Sequence, residues 1–407
     1  MQWIYLIAVK LYSFLIWLVS PFNNKAALWI KGRKRIFEKI ENKLGKDSSK
    51  RIWFHCASLG EFEQAVPLIK KLKQKYPSHK FILTFFSPSG YELKKNTSLA
   101  DYVFYLPADG PANARRFLNM IKPEMVFFIK YEFWHFYIHE LYSRNIPLYF
   151  ISARFRKNQI FFKGYGRFFR AMLRKAKHIF VQDENSLQLC FHAGIKNCSV
   201  SGDTRYDRVM EIASNPKQFP EIAKFSSGKK VFIAGSTWPE DEKLLFDMIN
   251  HSKDDWKFII VPHEISESHI SFLISGIRKK TVRYSKLNNT ENDVMIIDNI
   301  GMLSSAYQYG DTAYVGGGLG RGLHNILEPA AYGLPVIFGN RIDKNPEAKA
   351  MIKNGTGFTV SSTEELKSVF DKLNESNSLS ELKIGQRNYV AERAGAIEKI
   401  IGHLTTY

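Results

Sequence analysis

Five short segments carry residues whose types and spacing could do chemistry. In Cys56-Ala57-Ser58-Leu59-Gly60-Glu61-Phe62, Glu61 follows a strand end and a glycine turn, and a carboxylate there can take a proton from a hydroxyl as general base. The same Ser58-x-x-Glu61 spacing is also a capping box, in which the glutamate serves backbone amides and the helix dipole. In Lys130-Tyr131-Glu132-Phe133-Trp134, Glu132 ends a second apolar run. It could orient a substrate or stabilise positive charge developing in a transition state. Its ordinary role would be that of a helix-start carboxylate.

Gly202-Asp203-Thr204-Arg205-Tyr206-Asp207 offers Arg205, whose fork can grip a phosphate or carboxylate with two hydrogen bonds, or simply pair with Asp203 or Asp207. Gly316-Gly317-Gly318-Leu319-Gly320-Arg321-Gly322 leads into His324-Asn325-Ile326-Leu327-Glu328-Pro329. A strand, a glycine loop and a helix start would present amides to a phosphate, though the glycines match neither a Walker loop nor a dinucleotide fingerprint. Asn325 and Glu328, three apart, would share one face of the first helical turn, where the carboxylate can accept two ribose hydroxyls. Helix capping is the alternative.

The fifth segment, 154–177, holds Arg154, Arg156, Lys157, Lys163, Arg167, Arg170, Arg174, Lys175 and Lys177 and no acid, interleaved with Phe155, Phe161, Phe162, Tyr165, Phe168 and Phe169. That mixture suits a phosphate-bearing amphiphile at a membrane or single-stranded nucleic acid. It equally suits a solvated basic helix whose phenylalanines face the core.

These segments need elements to hold them. Ile52 to Ala57, Phe81 to Phe86, Val126 to Tyr131, Leu148 to Ala153 and His178 to Val181 read as strands, with a helix over Glu61 to Tyr76. Asn215-Pro216, Phe219-Pro220 and Ser226-Ser227-Gly228 mark a linker. A second series follows at Val231 to Gly235, Phe258 to Pro262, Val294 to Asp298, Thr312 to Gly316 and Pro335 to Gly339. Alternation of this kind gives two doubly wound α/β domains, with ligands expected beyond the carboxyl ends of the strands, in a cleft the two domains face.

The expected divisions are a membrane anchor over 1–22, a basic juxtamembrane helix over 23–50, a first Rossmann-like domain over 51–210, a linker over 211–228, a second Rossmann-like domain over 229–385 and a C-terminal helix over 386–407 packing back on the first domain. At 407 residues with 45% hydrophobic and 14% aromatic content, two cores are the natural expectation. The net charge of +19 calls for an anionic partner. Three cysteines, no His-Glu-x-x-His and no Asp-x-Asp point away from a disulfide framework and from a bound metal.

Trp3 to Val19 is apolar apart from Lys10 and a few small or polar residues, marginal for spanning, and it lacks the basic start and cleavage site of a signal peptide. Lys25, Lys31, Arg33, Lys34, Arg35, Lys39, Lys43, Lys46, Lys50 and Arg51 follow it. That excess places the body on the cytoplasmic side, or holds an interfacial helix to anionic lipid.

In their order, Ala57-Ser58-Leu59-Gly60-Glu61, Tyr131-Glu132-Phe133-Trp134, Ser152-Ala153-Arg154, Ala234-Gly235-Ser236-Thr237, Val261-Pro262 and the Gly316 to Pro329 segment resemble the 3-deoxy-D-manno-octulosonic acid (Kdo) transferases. The resemblance implies a GT-B fold and an inverting transfer of Kdo from CMP-Kdo to lipid IVA, the tetraacylated disaccharide bisphosphate precursor of lipid A. It implies Glu61 as the base, with Glu132 and Arg205 as transition-state stabilisers. CMP contacts would fall at Pro262, His263, Gly301, Met302, Leu303, Asn325, Ile326, Leu327 and Glu328. The basic residues Arg154, Arg156, Lys157, Lys163, Arg167, Arg170 and Arg174 would meet the acceptor and the membrane.

The setting implied is the cytoplasmic face of a bacterial inner membrane, with anionic lipid as partner and neither nucleic acid nor cofactor. The chain departs from the family pattern in having Arg205 where a lysine is common and Pro262-His263-Glu264 where Pro-Arg-His is common. A transferase of the same fold using a UDP-sugar, and more distantly a membrane-tethered nucleic-acid binder, are the alternatives.

Overall fold

Two runs of apolar strand-forming segments separated by helices build two parallel sheets. The computed structural model describes residues 1–252, 255–287, 291–375 and 379–405. The last two residues of the expected 386–407 segment, and short pieces of the expected 229–385 domain, therefore lie outside the described residues. The chain divides into two units, Met1–Arg208 with Ala394–Tyr407, and Val209–Arg393.

The first unit opens with α1 (Gln2–Val19), α2 (Asn24–Arg33) and α3 (Ile36–Leu44). Its sheet comprises β1 (Arg51–Cys56), β2 (Lys80–Phe85), β3 (Tyr102–Tyr105), β4 (Pro123–Ile129), β5 (Leu148–Ala153), β6 (His178–Val181) and β7 (Cys198–Val200), in the order β3-β2-β1-β4-β5-β6-β7. All pairs are parallel.

Both faces of β1 are buried, as expected where helices cover a parallel sheet on both sides. Ile52, Phe54 and Cys56 face one core with α4 (Leu59–Lys75) and the C-terminal helix Ala396–Thr405, and Trp53 faces the other. The two-residue period puts His55 on the Trp53 side.

The second unit repeats the plan with β8 (Lys230–Thr237), β9 (Trp256–Pro262), β10 (Thr281–Arg283), β11 (Val294–Ile296), β12 (Thr312–Val315), β13 (Val336–Gly339) and β14 (Gly357–Val360), in the order β10-β11-β9-β8-β12-β13-β14. The strand order reverses between β1 and β4 in one sheet and between β8 and β12 in the other. In such sheets these switch points are where ligands bind.

Three expectations are revised. The stretch 211–228 holds the end of the helix Thr204–Ser214 and a further helix, Pro220–Ser226. Pro220 occupies the first turn of that helix, where a missing N–H costs nothing, and Ile222 and Phe225 are buried in the second unit's core. The basic region 23–50 forms two helices, broken at Arg35, whose φ is +53°.

Arg33 turns inward. It donates to the carbonyls of Leu106 and Phe86, both at 2.9 Å, with its guanidinium carbon 3.9 Å from the Trp29 ring. Burial pulls its pKa down to about 9. Arg51 is buried as well, donating to Ile121 O. Both belong to the structure of the domain rather than to its surface charge.

Residues 394–405 belong to the first unit, whereas 386–393 belong to the second. The Asp207 carboxylate accepts the N–H groups of Gly395, Ala396 and Ile397, capping the final helix from another element.

α1 has no buried residue, and by length and composition it is able to cross a membrane.

Candidate functional site

In the first unit the candidate residues gather at the carboxyl ends of the strands beside the switch point. Glu61 lies in the first turn of α4, just after β1. Its carboxylate completes a capping box: Oε2 accepts the Ser58 N–H at 3.0 Å and also the Ser58 hydroxyl. One oxygen is thus committed to the helix start, which fixes where the other oxygen points.

Glu132 follows β4, where Lys130 turns the chain with φ +60°, a conformation rare for a residue with a side chain. Its side chain is only 12% exposed. Oε2 accepts the Trp134 Nε1–H at 2.8 Å and lies 2.9 Å from His55 Nε2.

The protons in this cluster can be assigned. An indole N–H only donates, so Thr84 Oγ1 accepts from Trp53 Nε1 at 2.8 Å. The Thr84 hydroxyl proton can then go to His55 Nδ1, also at 2.8 Å. That leaves the imidazole proton on Nε2, pointing at Glu132. The Thr84 carbonyl, 3.2 Å from Nδ1, would serve the imidazolium form, and in either form Nε2 donates to Glu132. A buried relay, Trp53 to Thr84 to His55, therefore holds one carboxylate in place from behind.

The Cys56 thiol reports the same neighbourhood. Burial raises its pKa well above the usual value, and the charges of Glu61, Glu132 and Glu63 add to the rise. Burial pushes the Tyr131 hydroxyl pKa up, partly offset by the charges of Arg156, Arg154 and Arg205 and reinforced by that of Asp203. Arg205 is held by Asp203, whose Oδ2 takes Nε at 2.9 Å and Nη2 at 2.8 Å.

The 154–177 segment is two short 3-10 turns and the helix Arg167–Leu173, not one continuous helix. Phe155 and Phe161 are buried against Phe133. Arg156, Lys157, Lys163, Arg170 and Arg174 line a cavity of about 1110 Å³ with no acid in its wall. Two of the five are engaged with the fold: Arg170 donates to the carbonyls of Phe161 and Lys163, and Arg174 to those of Gly194 and Ala193. Arg154 pairs with Asp183 at 3.4 Å, and Arg167 is exposed at the helix start, outside the cavity wall.

In the second unit, three rings stack at the ends of β8, β9 and β12. Trp238 and His263 have centroids 4.4 Å apart, His263 and His324 4.6 Å, and Trp238 Nε1 donates to His324 Nε2 at 3.0 Å. Burial, then the neighbouring His263, pulls the His324 pKa down to about 4, so its ring is neutral and able to accept. Arg321 lies over Trp238, 5.2 Å from its centroid.

The glycine loop departs from the reading of an open amide cradle. The N–H groups of Gly316, Gly317, Gly320, Gly322 and His324 bond to Gly235 O, Asp241 Oδ2, Gly317 O, Gly317 O and Gly316 O. The helix beyond the loop, Leu327–Ala331, is five residues long. The glycines answer a steric demand instead: a Cβ on Gly318 would lie 2.7 Å from Gly339 N, and one on Gly316 2.3 Å from Ser236 O.

Asn325 precedes the short helix, donating to Glu328 Oε1 at 3.1 Å and accepting the Leu327 N–H. Ile326 and Leu327 bury their side chains, as does Met302, so they can offer a ligand only backbone. Leu303 stands by Gly235, at the end of β8. Pro262 is buried at the end of β9, while His263 and Gly301 are exposed.

His55, Trp238 and His324 were not foreseen as members of these clusters. A lone imidazole inside the apolar run Ile52-Trp53-Phe54-His55-Cys56 was the available signal for the first. Among the described residues no group of three or more His, Cys, Asp or Glu side chains is placed to hold a metal ion.

Comparison with known proteins adds to this geometry. A sequence family described as 3-deoxy-D-manno-octulosonic-acid transferase (kdotransferase) matches residues 32–208. A 3-deoxy-D-manno-octulosonic acid transferase of Rickettsia bellii is 27% identical, covering 93% of this chain and 94% of its own length. One from Aquifex aeolicus is 28% identical, covering 86% and 94%. Among solved structures, UDP-GlcNAc 2-epimerase from Neisseria meningitidis, bound to UDP-GlcNAc, matches with a TM-score of 0.63 at 16% identity, covering 88% of this chain and 100% of its own. The paired Rossmann-like sheets are those of the GT-B fold.

Proposed function

We propose that this chain, a glycosyltransferase of the Kdo transferase family, transfers Kdo from CMP-Kdo to a hydroxyl of lipid IVA, with inversion, in lipopolysaccharide assembly. The observation that carries the reading is the pair of carboxylates, Glu61 and Glu132, following the two strands beside the first sheet's switch point, the first fixed at a helix start and the second held by His55 and Trp134. In the reaction, the acceptor oxygen bonds to the anomeric carbon. The bond from that carbon to the phosphate oxygen breaks, and its electron pair leaves with CMP.

Glu61, through the oxygen not committed to Ser58, takes the acceptor proton. Glu132, held in place by the donors His55 and Trp134, offsets positive charge on the sugar as the leaving group departs. Arg205, oriented by Asp203, faces the negative charge that develops on the phosphate. The cavity lined by Arg156, Lys157 and Lys163 suits the acceptor's phosphates.

The second unit takes the nucleotide. His263 in the ring stack, Gly301, the Met302 and Leu303 turn, and the Asn325 to Glu328 segment are the contacts, with Glu328 and Asn325 presented to the ribose. Arg321, on the same stack, supplies the cation missing from Pro262-His263-Glu264. A single departing phosphate met by arginines asks for no resident metal, so turnover should survive a chelator. α1 and the exposed lysines of α2 and α3 hold the enzyme to anionic lipid on the cytoplasmic face of the inner membrane. Phe155 and Phe161 pack in the core rather than standing out for base stacking, which argues against the nucleic-acid alternative.

The test is Glu61→Gln with both substrates. It should abolish turnover while leaving the fold and CMP binding intact. Near-normal turnover would return Glu61 to its capping role alone.

A further inference from the structure

A second cavity, of about 540 Å³, lies between α1 and α2, a volume within the usual range of ligand sites. Its walls include Leu15, Ile16 and Val19 of α1, Ala26 and Trp29 of α2, and Phe86 after β2. It is lined chiefly by hydrocarbon and rings, and the only ionisable side chains in its wall are the Tyr12 phenol and Lys25. Nothing in the sugar transfer itself needs such a cavity.

Three observations indicate what fills it. α1 rests on the first unit by one face only: the Tyr5 hydroxyl donates to Asp109 Oδ2 at 2.7 Å and accepts the His135 N–H at 3.2 Å, while Val9, Ser13 and Ile16 follow on the same face. The opposite face carries Ile4, Ile7, Leu11 and Leu18, each more than half exposed. An apolar strip of that kind belongs in hydrocarbon, so the cavity stands next to the acyl layer. Lys25 lines its wall and Lys31 and Lys34 are exposed on and just beyond α2, at the level where anionic headgroups would lie.

The inner wall leads to the reaction centre. Phe86 stacks on Trp134 with centroids 4.9 Å apart, and Trp134 Nε1 holds Glu132. On the other flank of Glu132, Phe133 packs on Phe155, which lines the cationic cavity. An apolar site and a cationic site therefore flank one carboxylate, matching a molecule with acyl chains and phosphates.

We propose that the cavity between α1 and α2 receives an acyl chain of the lipid acceptor, drawn from the bilayer to hold the acceptor headgroup at the strand ends that carry Glu61 and Glu132. The proposal rests on the transferase reading above.

The test is Ala26→Phe in the full-length protein, assayed in mixed micelles with the tetraacylated acceptor and with its fully deacylated headgroup. Displacing about two methylenes of the chain should raise KM for the acylated acceptor roughly fifteenfold, with kcat and the deacylated reaction unchanged. Ala26→Ser, which adds little volume, should behave as wild type. Equal losses on both acceptors, or no loss on the acylated one, would overturn the proposal. If wild-type protein turned over neither acceptor, the transferase reading would fall. Equilibrium binding then decides the cavity by itself: affinity for the tetraacyl glycolipid weakened in Ala26→Phe supports it, and equal affinity refutes it.

Discussion

Replacing His55 by phenylalanine keeps a ring of similar size between Trp53 and Phe128 but removes both nitrogens. Glu132 Oε2 would then keep only the Trp134 N–H at 2.8 Å, having lost the donor at 2.9 Å. Thr84 would lose the acceptor for its hydroxyl, retaining only a 3.4 Å approach to Phe54 O. A hydrogen bond to a charged group contributes about 1.5–3 kcal/mol. If that holds Glu132 in its working position, kcat should fall roughly ten- to a hundredfold at about 1.4 kcal/mol per decade.

Glutamine is the informative partner, because its Nε2 stands near the place of the imidazole Nε2 and restores the donor to Glu132. Steady-state rates of CMP release should therefore rank wild type, then His55→Gln, then His55→Phe, with KM for CMP-Kdo unchanged in all three. Thermal melts of the variants separate loss of fold from loss of rate. A folded His55→Phe enzyme at wild-type speed would refute the positioning role. So would equal losses in both variants, since these would follow from damage to the core alone.

Other consequences concern stability and membrane contact. Gly318→Ala should destabilise the second unit by about 1–3 kcal/mol through the 2.7 Å clash with Gly339 N, and weaken CMP binding, by denaturant melts and calorimetry. Burial pushes the Asp109 pKa up to about 6 from 3.8. Its protonated form is thus favoured in the folded state, and stability of the first unit should fall as pH rises from about 4 to 6, by about 3 kcal/mol, a slope that Asp109→Asn removes. His324 acts in the opposite sense: its folded pKa of about 4 lies below the ordinary 6.5, so its contribution is present above pH 6.5 and lost as pH falls through about 4, and His324→Phe should flatten that limb. Tyr5→Phe removes the bond to Asp109 and should loosen α1, seen as faster tryptic cleavage at Lys10 at a cost of about 1 kcal/mol.

The central strands of both sheets were legible because they are short apolar runs buried on both faces. Leu148–Ala153 and His178–Val181 match their expected bounds, and β1, β2, β8 and β9 lie within two residues of theirs. The strands that the apolar pattern did not reveal, β3, β7, β10 and β14, are the edges of the two sheets. An edge strand pairs on one side only, so three or four residues suffice, and they need not be uniformly apolar. Cys198–Val200 and Thr281–Arg283 show this.

The site was readable in part, and for a definable reason. Glu61 and Glu132 stand at strand ends that the sequence marks, whereas the partners that orient Glu132 come from elsewhere. Thr84 lies one strand over from His55 in the β1–β2 pairing, a contact that register alone creates. The glycine loop misled because glycine serves two purposes. Its close approach to Gly339 depends on β13 lying beside β12, and no local pattern discloses that. Arg33 looked like surface charge because its neighbours in sequence are lysines, yet its partners, Leu106 and Phe86, are more than fifty positions away.

The most direct test of the central claim is to incubate the detergent-solubilised full-length protein with CMP-Kdo and lipid IVA and follow both CMP release and the mass of the lipid. CMP release that depends on the lipid, matched by a lipid heavier by the Kdo residue, is the result expected. A lipid left unmodified by CMP-Kdo but glycosylated from a UDP-sugar would contradict it.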